Sequence, residues 1–425
     1  MVAIAQLVEH LIVVQKVARS SRVGHPSKTL PFAEGFCFFS MNSPLLGYRP
    51  NRHAGNHRVV HSGHIQFTEH KDKRSVMLSF ENDYSRAAHP AVLEAVAEAN
   101  NHLYSGYGSD ELSDQAKAKI REACGQPDAD VWFLVGGTQT NQVVIDTITP
   151  AYAGVVAVAS GHPNVHEAGA IEFGGHKVLT LPQENGKITA SQIRALLDQY
   201  EDDANRDHTV MPGMVYLSQP TEYGTLYSRK ELAAISALCR EKRLPLYIDG
   251  ARLAYALACP ENDVTLRDLA ALCDIFYIGG TKNGALFGEA LVLTHPLPHF
   301  RWHMKQRGAV LAKGRLLGVQ FQALLEDGLY FDLARHANAL ALRLRDGMAA
   351  LEIPFPVPSP SNQQFPVLPN GVIAALEAKG YQFETDHPVD EAHTCVRFVT
   401  SWATPESAVE ELLRDLKQIL KTAGN

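Results

Sequence analysis

Seven short apolar runs recur between residues 131 and 293, and segments with a helical pattern separate most of them. The predicted strands are 131–135, 155–159, 177–181, 214–218, 245–249, 274–278 and 289–293. The predicted helices begin near Thr138, His166, Ala190, Ser228 and Thr265. Such alternation favours the α/β class, with a mostly parallel sheet covered by helices.

The remainder of the chain predicts a second, smaller region. Residues 297–350 have a helical pattern, and a proline-rich break at 354–360 follows them. Short strands are predicted at 364–368 and 395–400, with helices at 371–379 and 405–422. We therefore expect a large α/β domain over 77–305, followed over 306–425 by connecting helices and a small C-terminal α+β domain.

The first 76 residues differ in composition from the rest. They contain seven histidines, ten lysines or arginines and four acids, and they have no sustained helical or strand period. We expect this segment to be either a disordered extension or sequence upstream of the true start. Met1, Met41 and Met77 are the possible starts.

Overall composition limits the class of protein and its partners. The formal net charge is −7 and no long basic stripe is present, which argues against a nucleic-acid partner. No apolar run approaches the ~20 residues of a membrane span, so no membrane partner is expected. The six cysteines lie far apart without metal-ligand spacing. We expect a cytoplasmic protein with reduced thiols, no metal site and a small-molecule substrate.

Two predicted strands lead into charged residues that strands buried on both faces rarely carry. The run 245–249 ends at Asp249, with Arg252 shortly after it, and Lys282 follows the run 274–278. In open α/β sheets, ligands bind beyond the carboxyl ends of the strands. A lysine and an aspartate there suit pyridoxal phosphate, because the lysine forms a Schiff base with its aldehyde and the carboxylate keeps its ring nitrogen protonated.

Glycines flank these charged residues. Gly250, Gly279 and Gly280 are expected to let a ligand approach the backbone closely. The alternative interpretation is a buried ion pair at the sheet edge, without a cofactor.

A glycine-rich turn follows the first predicted strand. Its residues Gly136, Gly137, Thr138 and Gln139 lead into a helix, so amides at the helix N-terminus and the threonine hydroxyls predict a phosphate site. The spacing matches neither common nucleotide-binding loop. The alternative is that these residues only cap the helix.

Two histidines follow the second predicted strand. His162 comes directly after its carboxyl end, where an imidazole could stack on the cofactor ring. His166 lies four residues later, a spacing that also occurs in zinc sites, but no third ligand with suitable spacing is evident.

Together these motifs resemble the low-specificity threonine aldolases, which belong to the aspartate-aminotransferase-like group (fold type I) of pyridoxal-phosphate enzymes. The similarity covers about residues 77–422, and no single motif carries it. The matching segments are Phe80–Ser85, Gly106–Gly108, Gly136–Thr140, Gly161–Gly169, Asp249–Arg252, Gly279–Asn283, Lys305–Lys313 and Val396–Trp402.

The resemblance implies roles for the residues that would hold the cofactor. Lys282 would form the Schiff base and Asp249 would pair with the ring nitrogen. His162 would stack on the ring, and Arg252 would lie near its phenolic oxygen. The phosphate would be held by Gly137, Thr138 and the adjoining Gln139, with Lys305 or Arg307 as further candidates.

The resemblance also implies a substrate side. Arg397 would bind the substrate carboxylate through a bidentate fork, and Tyr107 is a weaker substrate-binding candidate. Many family members have a histidine in the turn where this chain has Glu222. His162 and His166 are candidate bases, and Glu222 or water could take over the proton transfer of the missing histidine.

The implied activity is aldol cleavage of threonine or allo-threonine to glycine and acetaldehyde. The implied assembly is a homodimer or homotetramer with sites near the subunit interface. Alternatives are another pyridoxal-phosphate-dependent lyase acting on β-hydroxy or β-substituted amino acids, or a non-catalytic protein that binds the cofactor.

Overall fold

A computed structural model describes residues 78–423 of the chain. The predictions for residues 1–76 and for the start of the protein fall outside the described residues. The strands are β1 (Asp130–Leu134), β2 (Ala153–Val158), β3 (Val178–Leu181), β4 (Met211–Ser218), β5 (Leu246–Asp249), β6 (Ile275–Gly279), β7 (Glu289–Leu293), β8 (Gln363–Gln364), β9 (Val367–Pro369), β10 (Glu384–Pro388) and β11 (His393–Val399).

Helices surround these strands, with two short 3₁₀ turns at Arg206–His208 and Glu326–Gly328. They are α1 (Pro90–Ala99), α2 (Glu111–Cys124), α3 (Gly137–Ile148), α4 (His162–Val165), α5 (Ala170–Phe173), α6 (Ala190–Asp202), α7 (Arg229–Lys242), α8 (Leu253–Leu257), α9 (Leu266–Leu272), α10 (Phe300–Gln306), α11 (Arg315–Leu324), α12 (Leu329–Ala349), α13 (Asn370–Ala378) and α14 (Glu406–Ala423).

The large sheet has seven strands in the order β1-β7-β6-β5-β4-β2-β3. β7 is antiparallel to both of its neighbours, while the pairs β6-β5, β5-β4, β4-β2 and β2-β3 are parallel. The carboxyl ends of β2, β4, β5 and β6 therefore lie on one edge of the sheet. The antiparallel β7 begins on that same edge, where Glu289 pairs with Gly279.

Alternating residues of the strands enter two separate cores, one on each face of the sheet. In β2, Val156 and Val158 pack in one core, and Val155 and Ala157 pack in the other. A strand that is buried on both faces has a nearly continuous apolar sequence. For this reason these strands could be predicted from the sequence. All seven predicted strands begin within three residues of the observed ones.

A second sheet and a third core form the C-terminal part. β10, β11 and β8 pair in that order, β9 also pairs with β11, and all of these pairs are antiparallel. Phe80 joins this core together with residues of α12, α13 and α14. In the sequence, all strands of the first sheet precede the predicted boundary at 305/306, and all strands of the second sheet follow it. The boundary itself stays a prediction.

Two sequence predictions differ from the structure. A helix was predicted to begin near His166, but His166 instead ends the one-turn helix α4, because Ala168 (φ 50°) and Gly169 (φ 73°) adopt left-handed conformations that interrupt the helix. The strand β10 was missed because its residues, Glu384 to Pro388, are polar and largely exposed. No helix among residues 78–423 has the length and apolar character needed to span a bilayer.

Candidate active site

The polar residues predicted at the strand ends converge on one cavity at the carboxyl edge of the large sheet. We call it the inner cavity, and its volume is about 260 Å³. The strands bring their side chains together because β2, β4, β5 and β6 run in the same direction. The predicted site residues that line it are Gly137, Thr138, His162, Glu222, Asp249, Arg252 and Lys282.

Asp249 is buried and accepts hydrogen bonds at both carboxylate oxygens. Tyr277 donates to Oδ1 over 2.5 Å and Tyr216 donates to Oδ2 over 2.6 Å. The Ala251 amide donates to Oδ1 over 2.9 Å, and Asn141 Nδ2 donates to Oδ2 over 3.1 Å. Because these donors fix the carboxylate, its position in the cavity is preorganised for a cationic partner.

Asn141 connects Asp249, through Glu167, to His162. Its Nδ2 also donates to Glu167 Oε1 over 2.6 Å, and its Oδ1 accepts from the Tyr247 hydroxyl over 2.7 Å. Glu167 Oε1 lies 2.8 Å from His162 Nδ1. The buried carboxylate of Glu167 therefore orients the imidazole through Nδ1 and leaves Nε2 for another contact.

Lys282 shares the inner cavity with the buried carboxyl group of Glu289. Desolvation and the charge of Arg252 lower the pKa of Lys282, although Asp83, Asp249 and Glu289 oppose this shift. Desolvation raises the pKa of Glu289 to about 8. A lysine with a lowered pKa is more readily a neutral amine, which is the form that attacks an aldehyde.

Arg252 forms an ion pair with Asp83 in the segment before α1. Its Nε lies 2.8 Å from Asp83 Oδ2, and its Nη2 lies 3.1 Å from Asp83 Oδ1. Asn362 also donates to Asp83 over 3.0 Å. Burial alone would raise the pKa of Asp83, but the charges of Arg252 and Lys282 and these hydrogen bonds lower it. The paired guanidinium is thus held at the border of the cavity.

Glu222 lies in the turn after β4. Its Oε1 accepts hydrogen bonds from Ser218 Oγ over 2.7 Å and from the His162 amide over 2.8 Å. Its Oε2 is enclosed and has no hydrogen-bond partner within the described part of the chain. Desolvation raises the pKa of this carboxyl group. Glu222 therefore lines the cavity with a carboxyl group whose pKa is raised.

A second and larger cavity of about 710 Å³ opens from the first, and we call it the outer cavity. The two share Tyr84, His162, Glu222, Arg252 and Lys282.

Two further predicted residues lie in the outer cavity. Arg397 Nη2 pairs with Glu384, while its Nε has no hydrogen-bond partner among residues 78–423. His166 lines the outer but not the inner cavity, and its ring lies 5.6 Å from that of His162. Desolvation and the charges of His162 and Arg397 lower the pKa of His166.

The inner cavity fits pyridoxal phosphate on three observations. Gly136 precedes α3 without a side-chain cap, and a Cβ placed there would meet only open space, so the first amides of the helix are accessible to an anion. Asp249 supplies a fixed carboxylate, and Lys282 supplies an amine with a lowered pKa. One small molecule with a phosphate, a ring nitrogen and an aldehyde matches all three groups.

The structure places two predicted residues, Gln139 and Tyr107, at neither the inner nor the outer cavity. Gln139 bonds instead with the backbone, since its Oε1 accepts from Val135 over 3.3 Å and its Nε2 donates to Arg307 over 3.1 Å. Tyr107 lines other cavities, where Lys305 Nζ lies 4.9 Å from the centre of its ring. Both roles stay predictions.

The expectation for the three glycines was wrong. A Cβ on Gly250 would lie 1.8 Å from the Tyr277 carbonyl oxygen, and one on Gly279 would lie 2.5 Å from that of Ala251. A Cβ on Gly280 would lie 2.7 Å from the Gly288 carbonyl oxygen. The glycines therefore let backbone segments approach each other rather than a ligand.

Several residues of the site were missed from sequence. The local sequence around each of them does not indicate a functional site, because tertiary packing brings them to it. One signal was available: Tyr216, Tyr247 and Tyr277 are polar-tipped residues in otherwise apolar strands. The missed residues are Asp83, Asn141, Glu167, Tyr216, Tyr247, Tyr277 and Glu289.

One group of possible metal ligands is present among the described residues. The ligating atoms of Asp386, His387 and Cys395 all lie within 4.8 Å of one another. The inner cavity with Lys282 is not lined by any of the three.

Comparison with known proteins identifies relatives over most of the chain. Residues 83–369 match the model of the beta-eliminating lyase family. The low-specificity L-threonine aldolase of a Pseudomonas species is 33% identical, over 80% of this chain and 97% of that protein.

Solved structures give the same relationship. The Leishmania major threonine aldolase is 44% identical, with a TM-score of 0.78 over 80% of this chain and 99% of that one. An aspartate aminotransferase of Thermus thermophilus, at 16% identity and a TM-score of 0.59 over 81% of this chain and 91% of that one, shares the fold. The chain therefore belongs to the beta-eliminating lyase family, among the relatives of the low-specificity threonine aldolases, and is a pyridoxal-phosphate-dependent lyase with the aspartate-aminotransferase-like fold.

Proposed function

We propose that this protein cleaves threonine and allo-threonine to glycine and acetaldehyde. The observation that carries the proposal is that Lys282, Asp249 and Arg397 line two joined cavities, and that Glu222 lines both of them. The names of the Pseudomonas and Leishmania relatives support the same reaction.

The residues of the inner cavity hold the cofactor. Lys282 would bind its aldehyde carbon, Asp249 would hold the proton on its ring nitrogen, and the amides around Gly137 and Thr138 would bind its phosphate. His162 would stack on the ring, and Glu167, which contacts His162 Nδ1, would fix the orientation of the imidazole. Pyridoxal phosphate, when bound, withdraws the electron pair of the bond that breaks.

The residues of the outer cavity bind and orient the substrate. The guanidinium of Arg397, which lines the outer cavity, donates hydrogen bonds to the substrate carboxylate, and this contact fixes the rotation about the Cα–N bond. Orientation decides which bond at Cα is aligned for cleavage. Arg397 thus selects Cα–Cβ cleavage over the other possible reactions of an amino acid.

Glu222 removes the proton of the β-hydroxyl group. Glu222 lines both cavities, whereas His166 lines only the outer one. A carboxyl group with a raised pKa is a stronger base once ionised. The hydroxyl proton passes to the Glu222 carboxylate, the Cα–Cβ bond breaks and acetaldehyde leaves, and the return of that proton to Cα gives glycine.

The test is acetaldehyde release from L-threonine and L-allo-threonine in the presence of pyridoxal phosphate. We expect release from both epimers, its loss in Lys282→Ala, and its retention in Lys421→Ala, which removes an exposed lysine of α14. Absence of acetaldehyde from both epimers, with the cofactor bound to Lys282, would redirect the search to other β-substituted amino acids.

We also propose that the protein is a cytoplasmic homodimer or homotetramer with sites near the subunit interface. Trp302 is 69% exposed and Tyr107 is 48% exposed on one surface with Lys305, which suits a covered interface. The five described cysteines are free thiols, which suits a reducing compartment. Light scattering of the purified protein tests the first proposal, because a monomer would exclude it, and cell fractionation tests the second.

A further inference from the structure

The outer cavity has two ends with different neighbours. At one end it joins the inner cavity through Lys282, Glu222 and Arg252. At the other end it joins a side cavity of about 170 Å³ through Gln183, Tyr223, Phe365 and Asp386. A substrate whose amino group reacts at Lys282 can therefore extend its side chain towards the second end.

Three residues at that second end form what we call the aromatic corner: Tyr223, Phe365 and Asp386. The ring centres of Tyr223 and Phe365 are 5.5 Å apart, with an interplanar angle of 59°. Phe365 is buried, so its ring is held in place. Tyr223 and Asp386 line the outer cavity and the side cavity together. Burial raises the pKa of Tyr223, and the charge of Asp386 raises it further.

The strand β10 directs Asp386 into the cavity. Residues two apart in a strand share a face, and both Glu384 and Asp386 line the outer cavity. The pairing of β10 with β11 shifts at Asp386, between Thr385 and His387, and such bulges re-aim side chains. The backbone of β10 thus determines that the Asp386 side chain lines the cavity.

The two arginines of the outer cavity are paired with carboxylates, whereas Asp386 is not paired with an arginine or a lysine of the described chain. Arg252 pairs with Asp83, and Arg397 pairs with Glu384. Among residues 78–423, no lysine or arginine pairs with Asp386, whose ion-pair contact is His387 Nδ1 at 2.7 Å. The far end of the cavity therefore presents a carboxylate next to two aromatic rings.

We propose that the aromatic corner binds a cationic group, a primary or quaternary ammonium, at the end of the substrate's side chain. Aromatic faces and a carboxylate are the groups that recognise such cations. The preferred substrates are then β-hydroxy-α-amino acids with a cationic side chain, which cleave to glycine and an amino-aldehyde by the same transfer of the hydroxyl proton and with no redox change. This inference rests on the proposed function for the reaction, and on the corner for the choice of substrate.

Binding can be measured without cleavage. L-Lysine, L-norleucine and L-2-aminoadipate lack the β-hydroxyl group, and their dissociation constants follow from the change in visible absorbance of the cofactor-loaded protein. We expect lysine to bind about five to ten times more tightly than norleucine, and aminoadipate to bind most weakly. EDTA in all samples removes any contribution from metal ions. Equal affinity for lysine and norleucine would overturn the proposal.

Variants locate the preference. Asp386→Asn and Tyr223→Leu should each reduce the lysine-to-norleucine ratio several-fold, while Tyr223→Phe should keep it because the ring remains. Glu391→Gln is the matched control, because it removes an exposed carboxylate of the same hairpin that does not line the cavity, and should leave the ratio unchanged. An unchanged ratio in Asp386→Asn would also overturn the proposal.

Turnover separates this inference from the proposed function. The same preparations are assayed for acetaldehyde release from threonine, and for kcat/KM with β-hydroxylysine and β-hydroxynorleucine. Threonine cleavage without any preference for cationic ligands would refute the corner alone. A preference for lysine in a protein that does not cleave threonine would refute the proposed threonine reaction and support the corner.

Discussion

Asp249 and Glu167 share the side-chain amide of Asn141. Asn141 Nδ2 lies 3.1 Å from Asp249 Oδ2 and 2.6 Å from Glu167 Oε1, and all three residues are buried. The residue proposed to pair with the ring nitrogen is thereby joined to the one that orients His162. Asn141 therefore helps to position both carboxylates.

We predict that Asn141→Ala lowers kcat/KM by about tenfold, because both carboxylates lose a charge-assisted hydrogen bond. The neighbouring Gln142→Ala is the control, since Gln142 bonds with the Ala170 carbonyl and not with this network. Steady-state kinetics with threonine measures both variants. Equal effects of the two substitutions would mean that the shared amide has no special role.

Asp249→Asn removes the negative charge that we propose pairs with the ring nitrogen, while keeping the shape of the side chain. We expect kcat to fall by at least about a hundredfold, because a fixed charge in a buried site stabilises the charge that develops during the reaction. The affinity for cofactor should change much less, since Lys282 and the N-terminus of α3 remain. Comparable turnover in the variant and the wild type would disprove the role of Asp249.

The role of Glu222 can be read from the pH dependence of kcat/KM. Because desolvation raises its pKa, the ionised base becomes more abundant as the pH rises through that pKa, and the rate should rise with it. Glu222→Gln should lose this acidic limb and about a hundredfold in rate.

His166→Phe tests the competing base. His166 lies in the outer cavity only, so we expect this variant to keep the acidic limb of the wild type. If His166→Phe loses the limb and Glu222→Gln keeps it, the proton is accepted by the histidine.

The parts of the site that could be predicted from sequence are those at the ends of buried strands. Lys282 and Asp249 stand out because an apolar run leads directly to a charge, and parallel strands bring such ends together. Asn141 offered no such signal, since it lies within a helix and reaches Asp249 only through the tertiary fold. The glycines were misinterpreted because a sequence does not say whether a ligand or a carbonyl oxygen fills the space beside them.

Lysine should not replace Arg397 in binding the substrate carboxylate. The guanidinium binds a carboxylate through two parallel hydrogen bonds, and a lysine offers one point of contact. Arg397→Lys should therefore raise the KM for threonine by at least about tenfold.

Glu384→Gln serves as the companion variant. It leaves the arginine in place but removes its ion-pair partner, so we expect it to lower KM or leave it unchanged. If Arg397→Lys keeps the wild-type KM, the substrate carboxylate binds elsewhere.

The stability of the cofactor-free protein should depend on pH through Glu289. Burial raises the pKa of this carboxyl group from 4.5 to about 8, so its protonated form is favoured in the folded protein. The resulting stabilisation is complete below about pH 4.5 and is lost progressively as the pH rises to about 8. Glu289→Gln does not titrate and keeps an oxygen for the Gly280 amide.

Urea unfolding of both proteins between pH 5 and 9 measures this difference. We expect the free energy of unfolding of Glu289→Gln to increase relative to that of the wild type as the pH rises. The total change in this difference should be on the order of several kcal/mol. Glu391→Gln removes an exposed carboxylate and should follow the wild type throughout. A constant difference between Glu289→Gln and the wild type from pH 5 to 9 would show that Glu289 is ionised at all of these pH values, and that Lys282 faces a permanent negative charge.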